Sequence, residues 1–179
     1  MRLLGICGSL RKASLNRALL NALCEVLPPD VQMALHGDLD LPIFNNDLDD
    51  PPGVLRLKAA IAAADGVVFS VPEYNYSIPG GLKNALDWVS RPPDRSPLRG
   101  KPIGMVGAAS GMSGTIRAQT HLRQVLVYSD SPCLIQPEVL IPRARERFDA
   151  DGRLTDPSTR VLLEKFGAAM AGFVRRCCG

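Results

Sequence analysis

A tyrosine-rich segment lies where an apolar stretch gives way to a helical pattern. The run GVVFSV, residues 66–71, is followed by PEYNYSIPGG. The polar part of this segment consists of Pro72, Glu73, Tyr74, Asn75 and Tyr76. A connection between a strand and a helix needs only a turn residue and a helix cap. The two tyrosines therefore indicate a surface for a flat ring, with loop amides bonding to the polar edge of that ring. The simpler alternative is that the tyrosines face a partner subunit and the prolines only stiffen a turn.

A second polar segment, GSLRKASLN at residues 8–16, lies between the first apolar run and the first helical pattern. Its short polar side chains and its guanidinium are those of Ser9, Arg11, Ser14 and Asn16. Together with the amides at the start of a helix, such groups form a cradle for a phosphate. The patterns G-x-x-x-x-G-K-[ST] and G-x-G-x-x-G are both absent, so a nucleoside triphosphatase and a typical dinucleotide site are not indicated. The alternative is that Ser14 merely caps the helix.

Cys7 precedes this segment and suggests a cysteine-dependent phosphatase. Only three residues separate Cys7 from Arg11, too few for a loop that wraps a phosphate between a thiolate and a guanidinium. We therefore expect Cys7 to be a small core residue at the end of a strand. The sequence identifies no catalytic side chain.

A third segment, ASGMSG at residues 109–114, follows another apolar run. Its small residues allow a backbone to approach a ligand closely, and Ser110 offers a hydroxyl. We interpret this segment as a second wall for the ring.

Short apolar runs alternate with helical patterns along the whole chain. The predicted strands are 2–6, 31–35, 66–71, 102–109 and a fifth within 131–141. The predicted helices are 15–27, 54–65, 79–90, 115–129 and 156–177. This alternation predicts an α/β fold, a doubly wound five-stranded parallel sheet of the flavodoxin-like type with helices on both faces. Ligands bind beyond the carboxyl ends of the strands in such sheets, so the three polar segments are expected to form one site.

The composition predicts a soluble single domain over residues 1–179. The start MRLLGICGSL lacks the features of a secretory signal, so we expect a cytoplasmic protein. No apolar stretch is long enough for a membrane span, and the net charge of +3 comes without a basic stripe for nucleic acid. The five cysteines are scattered without a C-x-x-C pair, so we expect reduced thiols and no metal site.

Three stretches together resemble the NADPH-dependent FMN reductase family, the flavodoxin-like reductases of quinones, chromate and azo dyes. They are GSLRKASLNRAL, PEYNYSIPGGLKNALDWVSR and SGMSGTIRAQTHLRQVLVYSD, and the resemblance covers about residues 2–139. It implies a bound FMN and NAD(P)H as the electron donor. The implied phosphate contacts are Ser9, Arg11, Ser14, Leu15 and Asn16. The implied isoalloxazine contacts are Pro72, Glu73, Tyr74, Asn75, Tyr76 and Ser110.

The resemblance also implies a ping-pong quinone reductase that forms a homodimer or homotetramer, with the third helix and its Trp88 as part of the subunit contact. Ser113 departs from the family pattern, which leads us to expect glycine there. Two rival hypotheses stay open from the sequence. One is a flavodoxin-type electron carrier without NAD(P)H activity, although such carriers tend to be strongly acidic. The other is a flavin-free hydrolase that binds phosphate.

Overall fold

A computed structural model describes residues 1–37 and 39–179 and shows a five-stranded parallel sheet. The strands are β1 (Arg2–Cys7), β2 (Gln32–Leu35), β3 (Gly66–Ser70), β4 (Ile103–Ala108) and β5 (Val139–Ile141). Their order across the sheet is β2-β1-β3-β4-β5. The chain moves outward from β1 to β2 and then crosses back to β3 on the other side of β1. The flavodoxin-like prediction is confirmed, and the strand order reverses between β1 and β3.

Among the described residues, five α-helices connect or follow the strands. They are α1 (Leu15–Glu25), α2 (Pro52–Ala63), α3 (Gly80–Val89), α4 (Ile116–Leu126) and α5 (Pro157–Cys178). Helices α1 and α5 pack on one face of the sheet and α2, α3 and α4 on the other. Because both faces are covered, β3 and β4 are buried at every position, which explains their unbroken apolar sequence.

The described helices include none that is both long and apolar enough to cross a membrane.

Most predicted bounds agree with the observed ones within two residues, and the largest differences are at β5 and at the end of α4. The fifth strand is limited to Val139–Ile141, and the preceding part of the chain contributes only an isolated bridge between Cys133 and Ile103. Pro132 and Pro137 lack the amide that a continuous ladder requires, which accounts for the shorter strand. Helix α2 begins at Pro52, earlier than predicted, because proline fits the first turn of a helix. Helix α4 ends at Leu126 and continues only as a short 3-10 turn.

Candidate functional site

The loop after β1, residues 8–14, contacts the end of β3. The amide of Gly8 donates a hydrogen bond of 2.8 Å to the carbonyl of Ser70. A Cβ at Gly8 would lie 3.0 Å from Cδ of Pro72, so a side chain here would press against the loop after β3. Glycine therefore lets the two predicted ligand loops lie against each other.

The start of α1 offers unpaired backbone amides at the same end of the sheet. Ser14 is the N-cap residue, and among the amides of α1 its Oγ accepts from that of Arg17, at 3.3 Å. The first amides of a helix have no acceptor within the helix, which leaves those of Leu15 and Asn16 available to a ligand. The side chain of Arg11 is exposed beside them. The capping and phosphate-binding interpretations of Ser14 are thus compatible, since the cap uses one amide and leaves two.

The side chain of Asn16 joins three elements of the fold. Its Nδ2 donates to the carbonyl of Ala108 at 2.9 Å, and its Oδ1 accepts from the amide of Ala108 and from Oγ of Ser70, each at 3.0 Å. Every polar atom of the amide is therefore used inside the protein. The side chain of Asn16 is thus committed to the fold, and its backbone amide at the start of α1 remains available to a ligand.

Cys7 is 2 % exposed, in agreement with the expected core position.

The loop after β3, residues 71–79, contains a tight turn built on two left-handed residues. Tyr74 and Ser77 exchange backbone hydrogen bonds of 2.9 and 3.0 Å across the turn. Between them, Asn75 has a φ of 51° and Tyr76 a φ of 65°. Glycine is the usual residue at the second of these positions, so the bulky Tyr76 holds a strained backbone there. The turn presents Tyr74 and Tyr76 to the solvent, with 44 % and 65 % of their surface exposed.

Glu73, in the same loop, caps α4. The residue before that helix, Thr115, has a φ of 74° and makes no side-chain cap. The carboxylate of Glu73 accepts instead from the amides of Arg117 and Ala118, at 3.1 and 3.4 Å. It also pairs with the guanidinium of Arg117, 2.7 Å away. The acidic side chain is only 8 % exposed and fully engaged, so it fixes the loop and has no spare role as a base.

The loop after β4, residues 109–115, closes the opposite wall. Arg143 donates its amide to the carbonyl of Gly111, which ties this loop to the segment after β5. Oγ of Ser113, at the position where the resemblance led us to expect glycine, donates to Glu73 at 3.4 Å and so joins two of the loops. Beneath them, a Cβ at Gly107 would lie 1.9 Å from Oγ1 of Thr115 and 2.9 Å from the carbonyl of Val71. Only glycine fits at that position.

These three loops line one open cleft of about 330 Å³. Nine of the predicted site residues lie on its wall, namely Ser9, Arg11, Ser14, Leu15, Asn16, Pro72, Glu73, Tyr74 and Ser110. Ala108, Ala109, Gly111 and Ser113 complete the lining. Asn75 and Tyr76 do not line the cleft, and the ring of Tyr76 lies instead against the guanidinium of Arg117. The sequence signal for the additional residues was the small-residue segment after β4.

Trp88 lies elsewhere than expected. It is 1 % exposed, its Nε1 donates to the carbonyl of Pro42 at 2.8 Å, and Phe44 packs edge-on against it with ring centroids 5.0 Å apart. The side chain anchors the loop after β2 to α3. It is therefore not on the surface where a partner subunit could contact it.

Known proteins match the chain over most or all of its length. The model of the NADPH-dependent FMN reductase family matches residues 1–146. An NAD(P)H-dependent FMN reductase of Pseudomonas aeruginosa is 46 % identical, with 100 % of this chain and 98 % of that protein covered. A quinone reductase of Escherichia coli strain K12 is 37 % identical over 98 % of this chain and 96 % of its own length. The solved structure of FerB, a flavoenzyme NAD(P)H:(acceptor) oxidoreductase from Paracoccus denitrificans, superposes with a TM-score of 0.89. It is 36 % identical and covers 98 % of this chain and 97 % of its own.

Proposed function

The chain belongs to the NADPH-dependent FMN reductase family, and we propose that it uses bound FMN to pass electrons from NAD(P)H to quinones. The observation that carries the proposal is the single cleft shared by the loops after β1, β3 and β4. A mononucleotide with an anionic tail and a planar head needs two different kinds of surface side by side, and this cleft has both.

The phosphate fits the end of the cleft formed by α1. The free amides of Leu15 and Asn16 and the guanidinium of Arg11 are donors, and a helix N-terminus favours negative charge. Oγ of Ser9 also lies in this wall, where it already accepts from the amide of Arg11 at 3.3 Å and keeps its own proton free to donate. No acidic side chain lies among these donors, so the set would not repel a bound anion.

The ring system fits the other end, between the loops after β3 and β4. Pro72 and Tyr74 form one wall, and the small residues Ala109, Ser110 and Gly111 form the other. The small side chains let the backbone approach a flat ring closely. Loop amides supply fixed dipoles toward any negative charge that develops on the bound ring, which is electrostatic preorganisation without a catalytic side chain.

Bound FMN would supply the redox chemistry, namely hydride acceptance from NAD(P)H and the transfer of two electrons to an acceptor. The residues of the cleft bind and orient the reactants. Since the cleft is open to solvent and Tyr74 is 44 % exposed at its edge, donor and acceptor are proposed to occupy the same face in turn. This arrangement gives ping-pong kinetics.

The names of similar proteins support quinones as the acceptor class. Besides the quinone reductase of Escherichia coli, a 2-hydroxy-1,4-benzoquinone reductase of a Burkholderia species is 42 % identical over 95 % of this chain. An open cleft admits acceptors of different shapes, so chromate, azo dyes and free flavin are further proposed acceptors. We further propose that residues 1–179 act as one domain in the cytoplasm and assemble into a homodimer or homotetramer.

Steady-state turnover of the FMN-loaded protein with NADH and NADPH, against a quinone, chromate and an azo dye, tests this function. Parallel lines in double-reciprocal plots at varied quinone concentrations are expected. Absence of turnover with every donor and acceptor pair would refute the enzyme. Bound FMN that NADPH does not bleach would instead identify an electron carrier, and a protein that takes up no flavin would favour the phosphate-binding hydrolase.

A further inference from the structure

Helix α4 contacts the turn after β3 at three places. Glu73 accepts from the first amides of the helix, Nδ1 of His121 and Oγ of Ser77 are 2.9 Å apart, and the guanidinium of Arg117 lies over the ring of Tyr76. The distance from Cζ of Arg117 to the centroid of that ring is 4.0 Å. The turn is therefore held from one side by a helix that itself begins beside the loop after β4.

Arg117 contacts both Glu73 and Tyr76. Its Nε donates to Oε1 of Glu73 at 2.9 Å, while the face of the same guanidinium covers Tyr76. A planar guanidinium can make a forked ion pair and stack on a ring at once, which a lysine ammonium cannot. The residue thus contacts the loop at its start, through Glu73, and at the strained position of the turn, through Tyr76.

The turn needs such support because its own sequence disfavours it. A bulky residue at a φ of 65° is a backbone outlier, and it persists only where neighbouring structure enforces it. The backbone bonds between Tyr74 and Ser77 close the turn but leave Tyr76 largely exposed on its outer side. Arg117 is the cation that covers the ring in this position.

We propose that Arg117 is a positioning residue that holds the strained Asn75–Tyr76 turn, and with it the ring-binding wall of Pro72 and Tyr74, in the conformation that accepts the flavin. This inference rests on the proposed function, since the ligand of the loop is the ring of FMN. Arg117 itself does not line the cleft, so it acts through Glu73 and Tyr76. When only a fraction of the molecules has the competent turn, the apparent affinity for the ligand falls by that fraction.

The test compares Arg117→Gln with a matched control on the same helix. Arg123→Gln also removes a guanidinium from α4 and its ion pair, with Glu138 at 3.8 Å, but it acts at the far end of the helix from the cleft. FMN is titrated into the flavin-free proteins, and urea unfolding of each protein checks that it is folded. We expect Arg117→Gln to weaken FMN binding about tenfold, equivalent to about 1.4 kcal/mol, and Arg123→Gln to leave it within twofold of the wild type.

A ligand-independent measurement separates positioning from general loss of structure. Hydrogen–deuterium exchange of flavin-free Arg117→Gln should speed up in the peptide covering residues 72–78, and the same peptide should be unchanged in Arg123→Gln. A second test uses Tyr76→Gly, which removes the strain at the turn. The tenfold effect of Arg117→Gln should shrink to less than threefold in the Tyr76→Gly background, because a glycine turn no longer needs the arginine.

Three results would overturn the inference. They are FMN binding by Arg117→Gln within twofold of the wild type, equal weakening by Arg117→Gln and Arg123→Gln, or an undiminished effect in the Tyr76→Gly background. Each of them leaves the proposed function intact as long as the wild-type chain binds FMN. A wild-type chain that binds no FMN at all would defeat the proposed function, and the inference with it.

Discussion

Replacement of Asn16 by alanine should destabilise the fold far more than the loss of one exposed polar residue. The Asn16 side chain is part of a residue only 5 % exposed, and it satisfies both the amide and the carbonyl of Ala108 as well as the hydroxyl of Ser70. These partners belong to β3 and β4, two of the three strands whose exit loops line the cleft. The variant removes the group that joins α1 to both strands.

The size of the effect follows from the partners left behind. A buried backbone donor or acceptor without a partner costs about 1–3 kcal/mol, and Asn16→Ala leaves two of them at Ala108. We therefore expect a loss of about 3 kcal/mol in the free energy of unfolding. Ser70→Ala is the matched control, because Oδ1 of Asn16 keeps the Ala108 amide as a donor. Removing that single hydrogen bond should cost only about 0.5–1.5 kcal/mol.

Urea unfolding of the flavin-free proteins, followed by far-UV circular dichroism, measures both changes. With a slope of about 2 kcal/mol per molar urea, Asn16→Ala should lower the midpoint by about 1.5 M. A loss below about 1 kcal/mol, or one no larger than that of Ser70→Ala, would show that the amide is not the link described. The side chain of Asn16 would then be free to contact the ligand.

Two further variants test the packing beneath the cleft and the cap of the last helix. Gly107→Ala should lower the free energy of unfolding in urea by about 1–3 kcal/mol or more, because the new Cβ collides with Thr115 and Val71. Gly80→Ala is the control: it has open space around it and should be neutral or slightly stabilising. Equal changes in the two variants would contradict the collision. Hydrogen bonds from Ser158 and Thr159 hold the pKa of Asp156 well below its ordinary range, so its carboxylate stabilises the fold at neutral pH and loses that effect as the pH falls. Asp156→Ala should therefore cost about 1 kcal/mol at pH 7, and its difference from the wild type should narrow below about pH 4; a difference that does not change with pH would refute the charged cap.

The periodicity of the sequence was sufficient to predict the fold. Each buried strand is a short apolar run, and each helix has an apolar stripe between polar loops, so the alternation and the five-stranded parallel sheet followed directly. The extent of β5 was not predictable in the same way. Pro132 and Pro137 have no backbone N–H, and this limits where the segment can pair with β4. Trp88 was misplaced for a related reason, since a large amphipathic ring suits an interface and a core equally well.

The loops that line the cleft were predictable from the sequence, but the contacts of their individual side chains were not. A parallel sheet brings the ends of its strands together, so residues 8–16, 72–76 and 109–114 were expected at one edge. The family resemblance implied ligand contacts at Asn16 and Glu73. The structure shows the side chain of Asn16 joining α1 to β3 and β4, and that of Glu73 capping α4. The partners that decide this, Ala108 and Arg117, lie 92 and 44 residues away along the chain. No local pattern records such distant pairings.

The most direct test of the central claim compares the affinities of the wild type and of Arg11→Ala for FMN and for riboflavin. The two flavins differ by the phosphate. The flavin-free chain should bind one FMN, and Arg11→Ala should weaken FMN binding about tenfold while riboflavin binding stays within twofold. Equal affinity of the wild type for both flavins, or no uptake of either, would contradict a site that holds the phosphate at α1 and the ring between the two loops beyond it.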